Sequence, residues 1–397
     1  MARNTRHHRS VFFIVKRFRS VLFWIHLCAG IVAGVIIFVM SFTGLALAFE
    51  QELIDWSQRD SRRVDPPADT APLSAEALLA AFSAAHPDTE ASTLALSSDP
   101  ADAAVVRVGR RETYYLNPYT GAVLEPGSSA MEDFMHTMVA WHRWLGQSGD
   151  SRGIGKAITG ASNAAYVVLA VTGLYLWFPR RWARRALRPS LWFTGASGKA
   201  RDWNWHNVFG FWMLIPITVM AVSGMVISYQ WAGKLVYTLA GEEAPTRRGP
   251  PGPPASASAP STQEAPSAPV ALDTFFTTAA AASPDWTSLS LSLPVRGDTA
   301  RVSVKTPHDW PRTASTTLTV DGTAGTVTER ETFADQSTGR QWRSWLRFLH
   351  TGQALGWIGQ AIGAVGCLAG CFLVYTGFAL SWRRFFGRKA KADATPA

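Results

Sequence analysis

The 397-residue sequence is short of charge: Asp, Glu, Lys and Arg make up 17% of it, against roughly 25% in soluble globular chains. Acidic residues are scarcer than basic ones, 29 against 38, which leaves a net charge of +9. The shortage is concentrated in long uncharged runs, which excludes a wholly soluble chain. Mean hydropathy near zero equally excludes a chain that is membrane throughout. Cysteine is also scarce. Cys28, Cys367 and Cys371 all lie in apolar runs and cannot form a disulfide framework; Cys367 and Cys371, four apart, read as small packing residues of a span. There is no Gly-x-Gly-x-x-Gly after a strand, no His-Glu-x-x-His and no serine-nucleophile elbow. A built-in dinucleotide site and the common hydrolytic centres are therefore excluded.

What is abundant is apolar: 47% hydrophobic residues and 17 tryptophans. Four long apolar runs predict spans at 21–49, 154–178, 205–239 and 357–382, the third with a kink at Pro216. Basic residues cluster beside them, in a tail over 1–20, a loop over 179–204 that includes Arg180 and Arg181, and a tail over 383–397. Clusters abutting spans are positive-inside flanks rather than nucleic-acid-binding runs. They place both termini and the loop in the cytoplasm, and the polar segments outside.

Those polar segments read as two small α+β modules, 50–128 and 270–340. The first has a helix over Leu73–His86 and strands at Val105–Val108 and Thr113–Leu116. The second has a helix near Leu272–Ala282 and strands around Leu289–Leu293, Arg301–Lys305, Thr316–Val320 and Thr326–Glu329. Amphipathic segments follow at 129–153 and 341–356, and a Pro/Ser/Ala linker occupies 240–269. The fold class expected is a mainly α membrane protein: four transmembrane helices in two tandem repeats, with two small periplasmic modules.

The repeat is visible residue by residue. Trp141-His142-Arg143-Trp144-Leu145-Gly146, Ile154-Gly155-Lys156-Ala157-Ile158 and Thr172-Gly173 recur as Trp345–His350, Ile358–Ile362 and Thr376-Gly377. His26, Gly30 and Thr43-Gly44 recur as His206, Gly210 and Ser223-Gly224. The outer histidines do not align. His142 falls opposite Leu346, and His350 opposite Gly146, a displacement of about one helical turn that keeps both on one face.

Nine histidines occur. His7, His8, His86 and His308 lie in tails or surface segments and receive no role. His26 and His206 fall inside spans, where an ionisable group is costly and usually functional. Gly30 and Gly34 follow His26 at one-turn steps, and Gly210 follows His206, opening a flat slot beside each. Gly146 and Ala354 stand in the same relation to His142 and His350. Helix packing with a hydrogen-bonded histidine accounts for one such site; equivalent positions in both repeats favour ligation. His136 is a further candidate, off the face of His142. Structural zinc needs four close N or S ligands. One histidine pair per membrane face, without Cys or carboxylate, suits instead the two axial imidazoles of b-type haem. The Cys-x-x-Cys-His signature of covalent haem is absent.

Together with Asn204-Trp205-His206-Asn207, Leu349-His350-Thr351-Gly352, Thr172–Arg180 and Tyr115-Leu116-Asn117-Pro118-Tyr119-Thr120-Gly121, these segments are similar to the PepSY-associated transmembrane proteins. That family includes iron-regulated inner-membrane ferric-siderophore reductases. The second module departs from the pattern, with Val320-Asp321-Gly322-Thr323-Ala324-Gly325 in place of the Asn-Pro turn. The resemblance implies four spans, two PepSY-like modules and haem held by span histidines. The expected function is an oxidoreductase that passes electrons across the membrane to a ferric siderophore, with no nucleic-acid partner. His26 and His206 would ligate one haem b and His142 and His350 a second, with Gly30, Gly34, Gly210 and Gly146 as contacts. Membrane lipid surrounds the spans, and a quinol or a cytoplasmic reductase would donate electrons. Other readings of the same residues are a quinol-linked b-type cytochrome serving a partner protein and a non-redox module that restrains a protease.

Overall fold

The computed structural model describes residues 2–109, 112–125, 127–178, 184–245, 270–310 and 314–387, with side chains from 17 onward and without that of Ala186. The expected linker beyond 245, Arg180 and Arg181 of the basic loop, and the last ten residues of the C-terminal tail lie outside the described residues.

In chain order the elements are α1 (Ala2–Leu47), α2 (Glu50–Ser57), α3 (Arg59–Arg62), α4 (Ala75–Ala85), β1 (Thr93–Ser97), β2 (Ala104–Val108), β3 (Glu112–Leu116), α5 (Ala130–Trp144), α6 (Arg152–Trp177), α7 (Arg184–Leu191), α8 (Gly198–Trp212), α9 (Leu214–Ser228) and α10 (Gln230–Leu239). Then come α11 (Leu272–Ala282), β4 (Ser288–Ser292), β5 (Thr299–Lys305), β6 (Thr316–Asp321), β7 (Thr326–Glu331), α12 (Thr338–Thr351) and α13 (Gly356–Phe386). They divide into two compact units. One comprises residues 1–50, 134–235 and 345–397; the other comprises 51–133 and 236–344.

The first unit is a helical bundle. Three stretches, Arg17–Leu47, Gly149–Trp177 and Gln353–Phe386, are long and apolar enough to cross a bilayer. Helices α8 and α9 together make a fourth if the 65° bend between them is one broken span. This is a multi-pass membrane protein. The bend falls at Met213, three residues before the expected Pro216. Proline at 216 has no N–H for the carbonyl of Trp212, so the ladder fails one turn earlier and restarts with Ile217 N donating to Met213 O at 2.9 Å. Tyr229 is extended and ends α9, so the expected single segment 205–239 is three helices.

The bundle is inverted relative to a soluble core. On α6 and α13 the buried positions are small or polar: Gly155, Thr159, Gly160, Ser162, Asn163 and Thr172 on the first, and Gly359, Gln360, Gly366, Gly370 and Thr376 among those on the second. The bundle's exposed positions are apolar, with Val32 82% and Val171 64% exposed. Lipid solvates such side chains as well as a protein core would, so small and polar residues take the helix–helix contacts.

The second unit is built on an antiparallel sheet of seven strands in the order β3-β2-β1-β4-β5-β6-β7. The two modules expected as separate share this sheet, because β1 pairs with β4, Leu94 opposite Leu291. Alternation places Leu94, Val106, Leu116, Leu289, Leu291, Val302, Val304, Leu318 and Val320 in one core with Leu78 and Phe82 of α4 and Phe275 and Phe276 of α11. The two helices cap each other. Asp273 accepts from Ala75 N at 2.7 Å, and Glu76 accepts from the backbone N–H groups of Leu272 and Asp273.

Both turn sequences do the same work. The Asn117 carboxamide oxygen accepts from the amides of Tyr119 and Thr120 at 2.9 and 3.2 Å. The Asp321 carboxylate accepts from Thr323 and Ala324, both at 2.9 Å. Each turn then closes on a left-handed glycine, Gly121 at φ 72° or Gly325 at φ 61°.

Candidate functional site

The four singled-out histidines meet as two pairs inside the helical unit. The rings of His26 on α1 and His206 on α8 have centroids 6.3 Å apart, crossed at 85°. Those of His142 on α5 and His350 on α12 are 6.2 Å apart at 64°. Each pair draws one histidine from residues 26–142 and one from 206–350. The four-residue displacement of the outer pair is absorbed by helix ends. α5 ends just beyond His142, where Leu145 and Gly146 turn left-handed at φ 53° and 73°, and α12 ends just beyond His350 at Gly352, φ 78°. Both histidines occupy the last turn of their helix, and that shared position brings them together.

Each ring is held from behind by a hydroxyl. Nδ1 of His26 lies 2.9 Å from Thr172 Oγ1, and Nδ1 of His206 lies 2.9 Å from Thr376 Oγ1. Nδ1 of His142 lies 3.0 Å from Thr43 Oγ1, and Nδ1 of His350 lies 3.3 Å from Ser223 Oγ. Every one of these hydroxyls already donates its single proton to the carbonyl four residues back. Thr43 reaches Val39 O at 2.7 Å, Thr172 Val168 O at 2.7 Å, Ser223 Val219 O at 2.5 Å and Thr376 Phe372 O at 2.7 Å. A hydroxyl so committed can only accept, so Nδ1 carries the proton and Nε2 the lone pair. His350 makes the assignment twice over, since its Nδ1 also reaches the carbonyl of Met220 at 2.8 Å. All four rings therefore stand in the tautomer that presents an unprotonated Nε2.

A glycine follows each hydroxyl and lies against the same ring. A methyl group at Gly173 would stand 3.2 Å from Cε1 of His26, and one at Gly377 3.7 Å from Cε1 of His206. At Gly44 it would stand 3.3 Å from Cε1 of His142, and at Gly224 3.1 Å from Cε1 of His350. The Thr-Gly and Ser-Gly pairs are thus clamps, one residue holding the nitrogen and the next admitting the ring. Their recurrence was visible in the sequence as a mark of the repeat; their role needed the helix neighbours.

Of the glycines expected beside a cofactor, Gly30 and Gly210 keep equivalent, nearly open surroundings. Each has a single leucine within reach of an added methyl, Leu169 Cδ2 and Leu373 Cδ2, both at 3.7 Å. Gly34 and Gly146 do not fit that expectation. Gly34 is filled by the ring of Phe378 at 2.8 Å. Gly146 packs on the Trp141 indole and closes the end of α5, its N–H reaching Ala140 O at 3.1 Å. His136 is exposed on α5 and is not brought to either pair.

Two metal–imidazole bonds of about 2 Å each, with ring radii of about 1 Å, put the centroids of trans ligands roughly 6 Å apart. Both pairs have that spacing. Among the described residues no group of three or more His, Cys, Asp or Glu is arranged to hold a metal. Each pair therefore offers two imidazole nitrogens and no third such protein ligand among the described residues.

Beside the inner pair a carboxylate is fully buried. Asp202, one turn before His206, accepts from Arg201 at 2.8 Å and forms an ion pair with Arg383 of α13 at 3.0 Å. It ties α8 to α13 beyond the His206–Thr376 contact.

Fold and site together define a multi-pass membrane protein with paired, oriented histidines in its helical bundle. A profile described as the PepSY-associated TM region matches residues 23–384, and the chain belongs to that PepSY_TM family. A search of curated proteins finds no match.

Proposed function

We propose that the chain is a haem-containing reductase of the bacterial inner membrane that moves electrons across the bilayer to the ferric iron of a siderophore in the periplasm. The observation that carries this reading is the pair of two-histidine sites, each with trans-ligand spacing and Nδ1 held by a hydroxyl. A b-type haem fits the donor set, and when bound there would supply one-electron chemistry at its iron.

The residues' part follows from the geometry. His26 and His206 would hold the inner group, and His142 and His350 the outer one, through Nε2. The hydroxyls of Thr172, Thr376, Thr43 and Ser223 fix ring direction and tautomer, as second-sphere partners of metal-bound imidazoles do. Gly30 and Gly210 leave the inner helices flat beside their histidines. Thr43, which holds the outer His142, sits on the same helix as His26 of the inner pair, about 25 Å further along at about 1.5 Å per residue. That separation approaches the bilayer's hydrocarbon thickness of about 30 Å. The basic clusters support the orientation with termini inside, and the paired use of equivalent residues supports descent of the two halves from one repeated unit. One electron delivered to one Fe³⁺ gives one Fe²⁺, which hard oxygen donors hold less well. A quinol or a cytoplasmic reductase would supply the electron.

Absorbance spectra of purified full-length protein test the first step. A Soret band is expected, diminished in His206→Ala and in His350→Ala. No band, or one unchanged in both variants, refutes the assignment. The second step is tested by anaerobic reduction followed by a ferric siderophore; failure to reoxidise while quinol still reduces the protein would make it a cytochrome serving another protein.

A further inference from the structure

The outer end of the bundle carries a feature that ligation of the histidines does not use. Trp144, the last residue of α5, has two guanidinium groups stacked on its indole. Arg143 Cζ lies 4.8 Å and Arg152 Cζ 4.4 Å from the ring centroid. The two cations are therefore within about 9 Å of each other, close to the screening length at physiological salt. Both are exposed. Among the described residues neither has a carboxylate within ion-pair distance, and Asp150, the nearest in sequence to Arg152, pairs with neither. Exposed at that spacing, the two guanidiniums repel each other little and can turn their outer N–H donors to an anion.

The pair is also rigidly set relative to the outer histidines. Arg143 directly follows His142 in sequence. Its backbone carbonyl accepts the Thr159 hydroxyl at 3.0 Å. Gly155 lies so close to the Trp144 carbonyl that no side chain fits there. α6 is thereby locked to the end of α5, with Arg152 at its first residue. Arg143 thus stands one residue along the chain from His142, with Arg152 fixed beside it, at the end of the bundle that carries the outer pair. A lipid phosphate would need only a flexible cation at the interface, without this locked placement.

From this we infer that Arg143, Trp144 and Arg152 form an anion subsite that takes the acidic oxygens of a ferric chelate, so that the acceptor is an anionic, carboxylate-type iron complex rather than a cationic one. This rests on the reductase reading above for the chelate's fate, but binding itself needs no electron. The test therefore uses a metal that is not reduced. Full-length protein in phosphatidylcholine nanodiscs is titrated by calorimetry with gallium(III) citrate, and with a cationic gallium(III) trihydroxamate as control.

Wild type should bind the anionic complex more tightly. Arg143→Gln with Arg152→Gln should weaken it by at least about tenfold, a charge-assisted contact being worth about that factor. The double lysine variant should keep most of the affinity, and the Soret band per protein should not change. Equal affinity of wild type and the glutamine variant, or no binding by wild type, overturns the proposal. Loss of the Soret band with unchanged citrate affinity overturns it in favour of the cofactor's own carboxylates. An effect seen only when anionic lipid is added overturns it in favour of a headgroup. None of these outcomes depends on whether the protein reduces iron, which the reoxidation experiment decides separately.

Discussion

At the residue scale the four hydroxyls decide more than the histidines themselves. An imidazole in a helical bundle can rotate and can carry its proton on either nitrogen. Only the ring whose Nδ1–H is taken leaves Nε2 to a metal. Thr172→Val keeps shape and removes the acceptor, leaving His26 Nδ1 without its partner. Loss of such an outer partner typically costs ten- to a hundredfold in metal affinity. If the proposed haem is bound there, about that fall in its retention is expected for Thr172→Val, read as the ratio of Soret to protein absorbance after dilution, with Thr172→Ser restoring most of it. A valine variant that retains haem as wild type does would show that the hydroxyl is incidental. The glycines make an opposite demand. Gly224→Ala puts a methyl 3.1 Å from Cε1 of His350 and 3.2 Å from Asn163 Nδ2, which itself donates to Ala221 O at 2.8 Å and cannot withdraw freely. Overpacking of this kind costs about 1–3 kcal/mol. On the proposed haem assignment, the expected result is a shifted or broadened outer-site spectrum in an otherwise folded protein, checked by low-temperature absorbance of the reduced form.

At the element scale the ends of helices carry the design. Glu242 accepts from Ser337 Oγ at 2.7 Å and from Gly339 N at 3.1 Å, which fastens the chain after α10 to the start of α12. The Ser337 hydrogen bond, followed by the backbone N–H groups, holds its carboxyl below the usual carboxylate range. With the folded value depressed, the contribution is present above the unfolded value and is lost as pH falls through the folded one. Protection factors at residues 337–340, which correct for the intrinsic slowing of exchange in acid, should therefore fall as the pH is lowered through the acid range, and Glu242→Gln should show the lower protection already at neutral pH. A variant with wild-type exchange at neutral pH would mean that the carboxylate does not fasten the segment.

Long elements were the most legible in the sequence. Three of the four spans, the helix Leu272–Ala282 and the strands of the second module stand close to where periodicity put them. What sequence pattern could not supply was what distant partners decide. β1, Thr93-Leu94-Ala95-Leu96-Ser97, has an ordinary local signature and becomes a strand between two partners, β2 on one side and the distant β4 on the other. The histidine pairs could be anticipated from repetition. Their hydroxyl clamps could not, because Thr172 meets His26 only through the packing of α6 on α1.

At the scale of each whole unit, two different physical problems are solved. The bundle puts polar groups inside and apolar ones out, so its few buried charges have to be paired. Asp202 is fully buried, while Arg201 and Arg383 are about a third exposed. Removing the partner of a fully buried pair costs about 3–5 kcal/mol, and solvent screening of the two arginines brings the expectation here to about 2 kcal/mol. Asp202→Asn should lower the thermal midpoint of the full-length protein and loosen α8 from α13 near His206, so the inner-site spectrum should broaden while the outer one does not.

The sheet unit solves the opposite problem by joining two short strand sets that would each expose an edge. Its cohesion rests on the β1–β4 seam, where Leu94 and Leu291 stand opposite one another, both fully buried. Leu291→Ala should cost about 2–5 kcal/mol through the cavity it leaves. If the seam makes the two sets one cooperative body, that loss will appear as a single shifted unfolding transition, and protection against exchange will fall together in β2, on one side of the seam, and β6, on the other. Protection lost in β5 and β6 but kept in β2 and β3 would show instead that each set is stable alone and that the seam merely places them side by side.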